Sequence, residues 1–181
     1  KACGGDALVR LSAFRAVGGF NGALIAGEEP DMCIRLRHEG WGMQRIDAAM
    51  TEHDAAILKF RQFWTRARRW GFAQTGLTCL HRDRHTVMTT ARSAGWGLGV
   101  PAISVAFVAV WPWLSLAFLM LYPLQIWRLA RRFGGSSIAW ERATLLTIAK
   151  MAEALGMLQY LWSSAKVGQF EAPNHALIEY K

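Results

Sequence analysis

Residues 93–127 read SAGWGLGVPAISVAFVAVWPWLSLAFLMLYPLQIW, without one charged side chain. At the α-helical rise, one straight helix through this stretch would be roughly 50 Å long, well beyond a bilayer hydrocarbon core of about 30 Å. Pro101, Pro112 and Pro123 also interrupt it. A helical hairpin reversing near Trp111-Pro112-Trp113 accounts for both facts. Each arm is close to the lower length limit for a span, so a full crossing and a shallow re-entrant hairpin both fit. Arg82, Arg84 and Arg92 flank one side, and Arg128, Arg131 and Arg132 flank the other. Basic residues at both flanks place both ends in the cytoplasm. A buried helical pair in a soluble protein is the competing reading of the same stretch.

Downstream, residues 143–165 form a further apolar segment, but Lys150 and Glu153 fall inside it. Their spacing puts them on one helical face, where they can pair. Charges in mid-span are costly, and a helix lying in the interface avoids that cost, so the expectation leans towards an interfacial helix while leaving a third span open. The tail over 169–181 is polar. Upstream, residues 57–81 predict a long, strongly basic amphipathic helix. The chain thus divides into a polar part over 1–56, a basic interface helix and linker over 57–92, the membrane hairpin over 93–127, and a last part over 128–181. That last part holds a cytoplasmic linker, an amphipathic or third membrane helix, and the tail.

The 181 residues carry a formal charge of +8, 52% hydrophobic side chains and nine tryptophans, a high apolar content for a soluble domain. The charge alone is compatible with nucleic acid, an anionic membrane or an anionic substrate. Because the basic residues crowd beside the apolar segment and no recognition motif accompanies them, no nucleic-acid partner is expected. Cys3, Cys33 and Cys79 are odd in number and widely spaced, which disfavours a disulfide framework or a zinc site and suits a reducing compartment. The chain begins with Lys1, and no signal peptide is recognisable, so an upstream portion is expected.

Within 1–56, residues 5–11 read as a short strand and residues 12–17 as a short helix with Ser12 as its cap. Gly18-Gly19 ends that helix, and residues 20–26 form a loop. Pro30 suits a first helical position, Asp31 and Arg35 make an i, i+4 pair, and Gly40 stops the helix. Residues 41–46 read as the next strand. The densest chemical signal is Gly27-Glu28-Glu29-Pro30-Asp31. Acids at a helix start are held ionised by the helix dipole, so one of them can act as a base at neutral pH. Ordinary first-turn acids give the same pattern.

The ordered set Cys3-Gly4-Gly5-Asp6-Ala7-Leu8-Val9-Arg10, Val17-Gly18-Gly19-Phe20, Gly27-Glu28-Glu29-Pro30-Asp31-Met32-Cys33-Ile34-Arg35-Leu36-Arg37 and Gly40-Trp41 resembles the second half of a family 2 glycosyltransferase. The resemblance covers roughly residues 2–71 and is only general in the apolar part. It implies an α/β fold, with residues 1–56 as the C-terminal remainder of a GT-A-type nucleotide-diphospho-sugar transferase domain ahead of an α-helical membrane hairpin. It also implies direct inverting transfer to a lipid-linked or glycan acceptor, with Glu29 as the base and Glu28 as its substitute. Glu stands at position 29 where the family's motif has Asp. Cys3, Gly4, Gly5 and Asp6 resemble the strand lining the acceptor pocket of processive relatives. There, small residues allow close approach of a sugar, while a turn-capping role for Asp6 fits equally well.

Arg66-Ala67-Arg68-Arg69-Trp70 resembles the QxxRW motif of polysaccharide synthases, with Arg66 in the Gln place. Arginine suits diphosphate and Trp70 suits stacking on a sugar, which makes Arg66, Arg69 and Trp70 substrate-binding candidates. Arg61 and Arg68 are assigned to the surface, and a basic helix resting on anionic headgroups is the competing reading. His53, in Thr51-Glu52-His53-Asp54, matches a histidine that in some relatives approaches the metal or the diphosphate. The cofactor implied is a divalent ion, Mg²⁺ or Mn²⁺, whose principal carboxylate ligand would lie upstream. The location implied is the inner membrane, multi-pass, with the catalytic part cytoplasmic. A non-catalytic membrane adaptor derived from a transferase fragment is the alternative function.

Overall fold

The computed structural model describes residues 7–24, 26–44, 46 and 56–167. Their regular elements are all helical: α1 Leu11–Ala16, α2 Glu28–His38, α3 Phe60–His81, α4 Arg84–Ala94, α5 Val100–Phe107, α6 Pro112–Leu119, α7 Leu121–Arg132 and α8 Ser137–Val167. A π-helical turn, Gly95–Gly99, joins α4 to α5. No strand occurs among the described residues, so the α/β expectation is wrong, and with it the reading of 1–56 as a GT-A-type remainder. Residues 7–10, 41–44 and 46 are irregular. A strand needs a neighbour to pair its backbone N–H and C=O groups, and neither stretch pairs with another among the described residues. Leu8 is instead almost fully exposed.

The first two helices make a small unit of their own. Ala13, Met32 and Leu36 are buried against one another, with Val9, Phe14, Val17 and Trp41 packed around them. α1 starts at Leu11 with Arg10 at the cap position and no side-chain cap bond, so Ser12 is not the cap that the sequence suggested. α2 begins two residues before Pro30. The proline is harmless there because the first four N–H groups of a helix have no intrahelical acceptor. At the other end Gly40 takes a left-handed conformation, φ +77°, and the Trp41 N–H donates to the Leu36 carbonyl at 2.9 Å.

The remaining helices form a bundle around α3 and α8. α3 starts where the Gln62 side-chain oxygen accepts from the Leu58 and Lys59 N–H groups, both at 2.9 Å. Its second half meets α8 at backbone distance. A Cβ on Gly71 would overlap the Glu153 carbonyl, and one on Gly156 would overlap the Arg68 carbonyl. Phe72 lies edge-on to Tyr160 with ring centroids 5.2 Å apart. The π-helical turn precedes Pro101, which has no N–H to offer the preceding turn. Its Gly97 seats directly against the Lys150 carbonyl of α8. Pro101 thus widens the helix rather than ending it.

After α5 the chain reverses over residues 108–111, and α6 runs back along α5, with Phe107 stacked near Phe118. One helical stretch, Pro112–Arg132, is long and apolar enough to cross a membrane. Only 11% of its most apolar window is buried, so it is not a core helix of this bundle. α8 carries the predicted pair: Lys150 Nζ lies 2.6 Å from Glu153 Oε2, and the Ser93 hydroxyl donates to the same carboxylate oxygen.

Gly71→Ala should lower the stability of the bundle by about 2 kcal/mol, because no side chain near it can yield to make room. Gly95→Ala, where a Cβ meets nothing within 4 Å, should be neutral or slightly stabilising. Thermal unfolding of the two variants in detergent checks the contrast.

Candidate functional site

The acid motif sits where α2 meets α3. Gly27 has φ +90°, a left-handed conformation that favours glycine, and a Cβ there would lie 3.1 Å from Leu77 of α3. The loop ahead of α2 is therefore pressed onto α3, and the helix starts immediately with Glu28 and Glu29. The first intrahelical bond runs from the Asp31 N–H to the Gly27 carbonyl at 2.9 Å. Both glutamates are half-buried rather than turned into solvent. Glu28 Oε2 is buried and has no hydrogen-bond partner among the described residues.

Asp31 is the anchor of this junction. It is 1% exposed and accepts from Arg35 Nε at 2.9 Å and from Arg35 Nη2 at 2.6 Å. Its other oxygen lies 2.6 Å from His81 Nε2, at the end of α3. Arg35 reaches on to the carbonyls of Val17 and Gly19. One buried carboxylate thus ties the Gly18-Gly19 turn, α2 and α3 together. The Asp31–Arg35 pair matches the helical spacing. The His81 contact does not follow from any local pattern, since fifty positions separate the partners.

Beside this junction, α2, α3 and the first turn of α4 enclose an open groove of about 470 Å³. Pro30 and Ile34 line it from α2, Trp70, Gln74 and Leu77 from α3, and Arg84, His85 and Met88 from α4, with Arg37 at its rim. Gln74 Nε2 donates to the Thr86 carbonyl at 3.3 Å, and the Thr78 and Thr90 hydroxyls are 2.8 Å apart, which fixes α4 against α3. Asp83 caps α4 by accepting from the His85 N–H at 3.0 Å. Next to Tyr160, burial pushes the Cys79 thiol up from its ordinary range, and the Arg82 charge only partly offsets this.

Of the residues singled out from the sequence, the structure therefore places Trp70 in the same groove as Pro30, one step from Glu29. Arg66 is exposed on α3, and Arg69 is half-buried. Glu28, Glu29, Arg66 and Arg69 do not line the groove. Cys3, Gly4, Gly5, Asp6 and His53 lie outside the described residues. The described residues do not fit a divalent ion: no three His, Cys, Asp or Glu side chains converge, and both oxygens of Asp31 are already engaged. His81, Arg37, Arg84 and His85 were missed by sequence reasoning, because each acquires its role only through helix docking. No family model, curated protein or solved structure matches this chain.

Asp31→Ala should cost about 3 kcal/mol, since it leaves the Arg35 charge half-buried without its carboxylate and unties His81. Asp31→Asn should cost less, because the amide still bonds one partner. Thermal unfolding in detergent distinguishes the two.

Proposed function

We propose that this chain acts in a membrane-anchored inverting glycosyltransferase, moving a sugar from a nucleotide-diphospho-sugar to a lipid-linked or polysaccharide acceptor. The observation that carries the reading is the acid pair Glu28–Glu29, half-buried at the start of α2. Gly27 on Leu77 and Asp31 on His81 fix the start of α2 beside a basic helix that also presents Trp70. Glu29 takes the proton from the acceptor hydroxyl. The hydroxyl oxygen bonds to the anomeric carbon, and the bond from that carbon to the diphosphate oxygen breaks on the opposite face. Arg66 and Arg69 offer planar forks to the departing diphosphate, and Trp70 offers a stacking face to a sugar. Donor-binding groups and ligands for Mg²⁺ or Mn²⁺ belong to residues outside those described, and none of these steps is routed through the ion.

The membrane setting is part of the proposal. The helices from α4 to α7 form a hairpin whose arms each run about 27 Å from their flanking arginines to the reversal, close to one hydrocarbon thickness. The reversal carries Trp111 and Trp113, the latter 82% exposed, as expected of side chains seated in the far headgroup layer. Near the other end, Arg131 lies over Trp127 and Arg142 over Phe133, pairing cations with interfacial rings. Polar side chains are buried in the bundle (Ser93, Ser104, Ser115, Thr147, Ser164 and Glu153) beside Phe72, Leu77 and Tyr160, while Val105, Trp113 and Trp162 face outwards. That distribution suits lipid rather than water around the bundle. In this reading the protein is multi-pass in the inner membrane, with α2 and α3 on the cytoplasmic side.

Glu29→Gln should reduce transfer from a radiolabelled nucleotide sugar by about a hundredfold or more in membranes holding the whole protein, on the usual scale for removing a general base. Glu28→Gln should reduce it far less. Undiminished turnover of Glu29→Gln would assign the base elsewhere, and absence of any transfer by the wild type would favour a non-catalytic adaptor. For the topology, Val110→Cys and Ser136→Cys should react with an impermeant maleimide from opposite faces of the membrane, with labels located by peptide mass spectrometry. Labelling of both from one face would exclude a full crossing.

A further inference from the structure

We infer that the groove between α2, α3 and α4 is a binding site for a phosphate-bearing lipid, with Arg37 and Arg84 holding the phosphate and Trp70, Leu77 and Met88 receiving the first part of the acyl chain. The groove volume of about 470 Å³ lies within the usual range of small-molecule sites. Its floor is apolar: Ile34 and Leu77 are buried, and Trp70 and Met88 are 43% and 45% exposed along its open side. Its rim is cationic. Arg37 from α2 and Arg84 from α4 line it together with His85, and the one acid there, Asp83, is engaged as the cap of α4. An apolar floor with an arginine from each of two helices along it complements an amphiphile with an anionic head, since guanidinium binds phosphate oxygens bidentately and is more weakly hydrated than ammonium.

The groove also lies where such a molecule would arrive. α4 continues through the π-helical turn into α5, so the helix that supplies Arg84, His85 and Met88 is the same one that enters the uncharged hairpin. A lipid lying along α4 could therefore keep its head at Arg84 while its chains follow the apolar face of the helix. A soluble phosphate would use the rim and leave the floor empty. The inference rests on and deepens the glycosyl-transfer reading in one respect, since the groove is lined by Pro30, the residue next to Glu29. Lipid binding itself needs neither a sugar nucleotide nor the glutamates.

The test uses the whole protein in neutral detergent and a fluorescent short-chain phosphatidic acid, compared with diacylglycerol bearing the same chains and with inorganic phosphate. Phosphatidic acid should bind saturably at one per chain, with diacylglycerol at least tenfold weaker and millimolar inorganic phosphate failing to displace the probe. Arg37→Ala with Arg84→Ala should weaken binding at least tenfold, and Trp70→Ala should weaken it severalfold. Arg61→Ala with Arg68→Ala, which removes two exposed charges of α3 outside the groove, should leave it within twofold of wild type. Glu29→Gln should bind as wild type does, so loss of transfer and loss of lipid binding are separable. Equal losses from the two arginine pairs would show non-specific surface attraction and overturn the site. Efficient displacement by inorganic phosphate would overturn the lipid assignment.

Discussion

The close approach of α3 to α8 governs the rest of the molecule. Gly71 and Gly156 allow the two backbones to meet where no Cβ fits, and Gly97 does the same for the turn between α4 and α5. Such contacts maximise dispersion and leave little room for relaxation, so they fix the position of α3 firmly. Because α3 is held from behind by α8, its other face is a rigid wall. Against that wall Gly27 packs on Leu77 and Asp31 bonds His81. The acid motif is thus placed by a helix whose own position is set by glycines far from it in sequence.

The chemistry inside the bundle follows from the same contact. Small residues at the seam leave little volume for a large apolar core, and beside Phe72, Leu77 and Tyr160 many of the buried positions are alanines and hydroxyls. The buried Glu153 carboxylate accepts from Ser93 and from the half-buried Lys150, so its charge is both paired and hydrogen-bonded. Hydroxyls such as Thr147 and Ser104 return their protons to carbonyls one turn back, at 2.8 and 2.9 Å, so they need no partner on another helix. Many of the larger apolar side chains, such as Val105, Trp113 and Trp162, are left outside. Lipid tails are as apolar as leucine, so in a bilayer this arrangement loses nothing by exposing them, and the helices are held by packing and hydrogen bonds.

What was legible in the chain was what depends on neighbours within a helical turn or two. The Asp31–Arg35 and Lys150–Glu153 pairs follow from i, i+4 and i, i+3 spacing, and both form. Gly40 stops α2 because the left-handed conformation it adopts is cheap only for glycine. The reversal before Pro112 follows from an uncharged run too long for one straight helix. The strands were misread because a short stretch between turn residues is only permitted to pair, not made to. Residues 7–10 and 41–44 have the composition, but no strand among the described residues pairs with them. For the site, Trp70 and the two glutamates were visible as motifs, whereas the groove that Trp70 shares with Arg37 and Arg84 was not.

By itself, then, the sequence determined the helical character of the apolar half, the place where it turns back, the acids at the start of α2 and the local ion pairs. Each of these is a matter of period and spacing along one stretch of chain. Only the tertiary structure decided that His81 closes on Asp31, that Gly27 packs on Leu77 of α3, and that arginines from α2 and α4 rim one groove. Those contacts join residues up to fifty positions apart, and their geometry is set by how closely whole helices can approach. Glycines at the α3–α8 seam control that approach, and their effect is felt only once the helices meet.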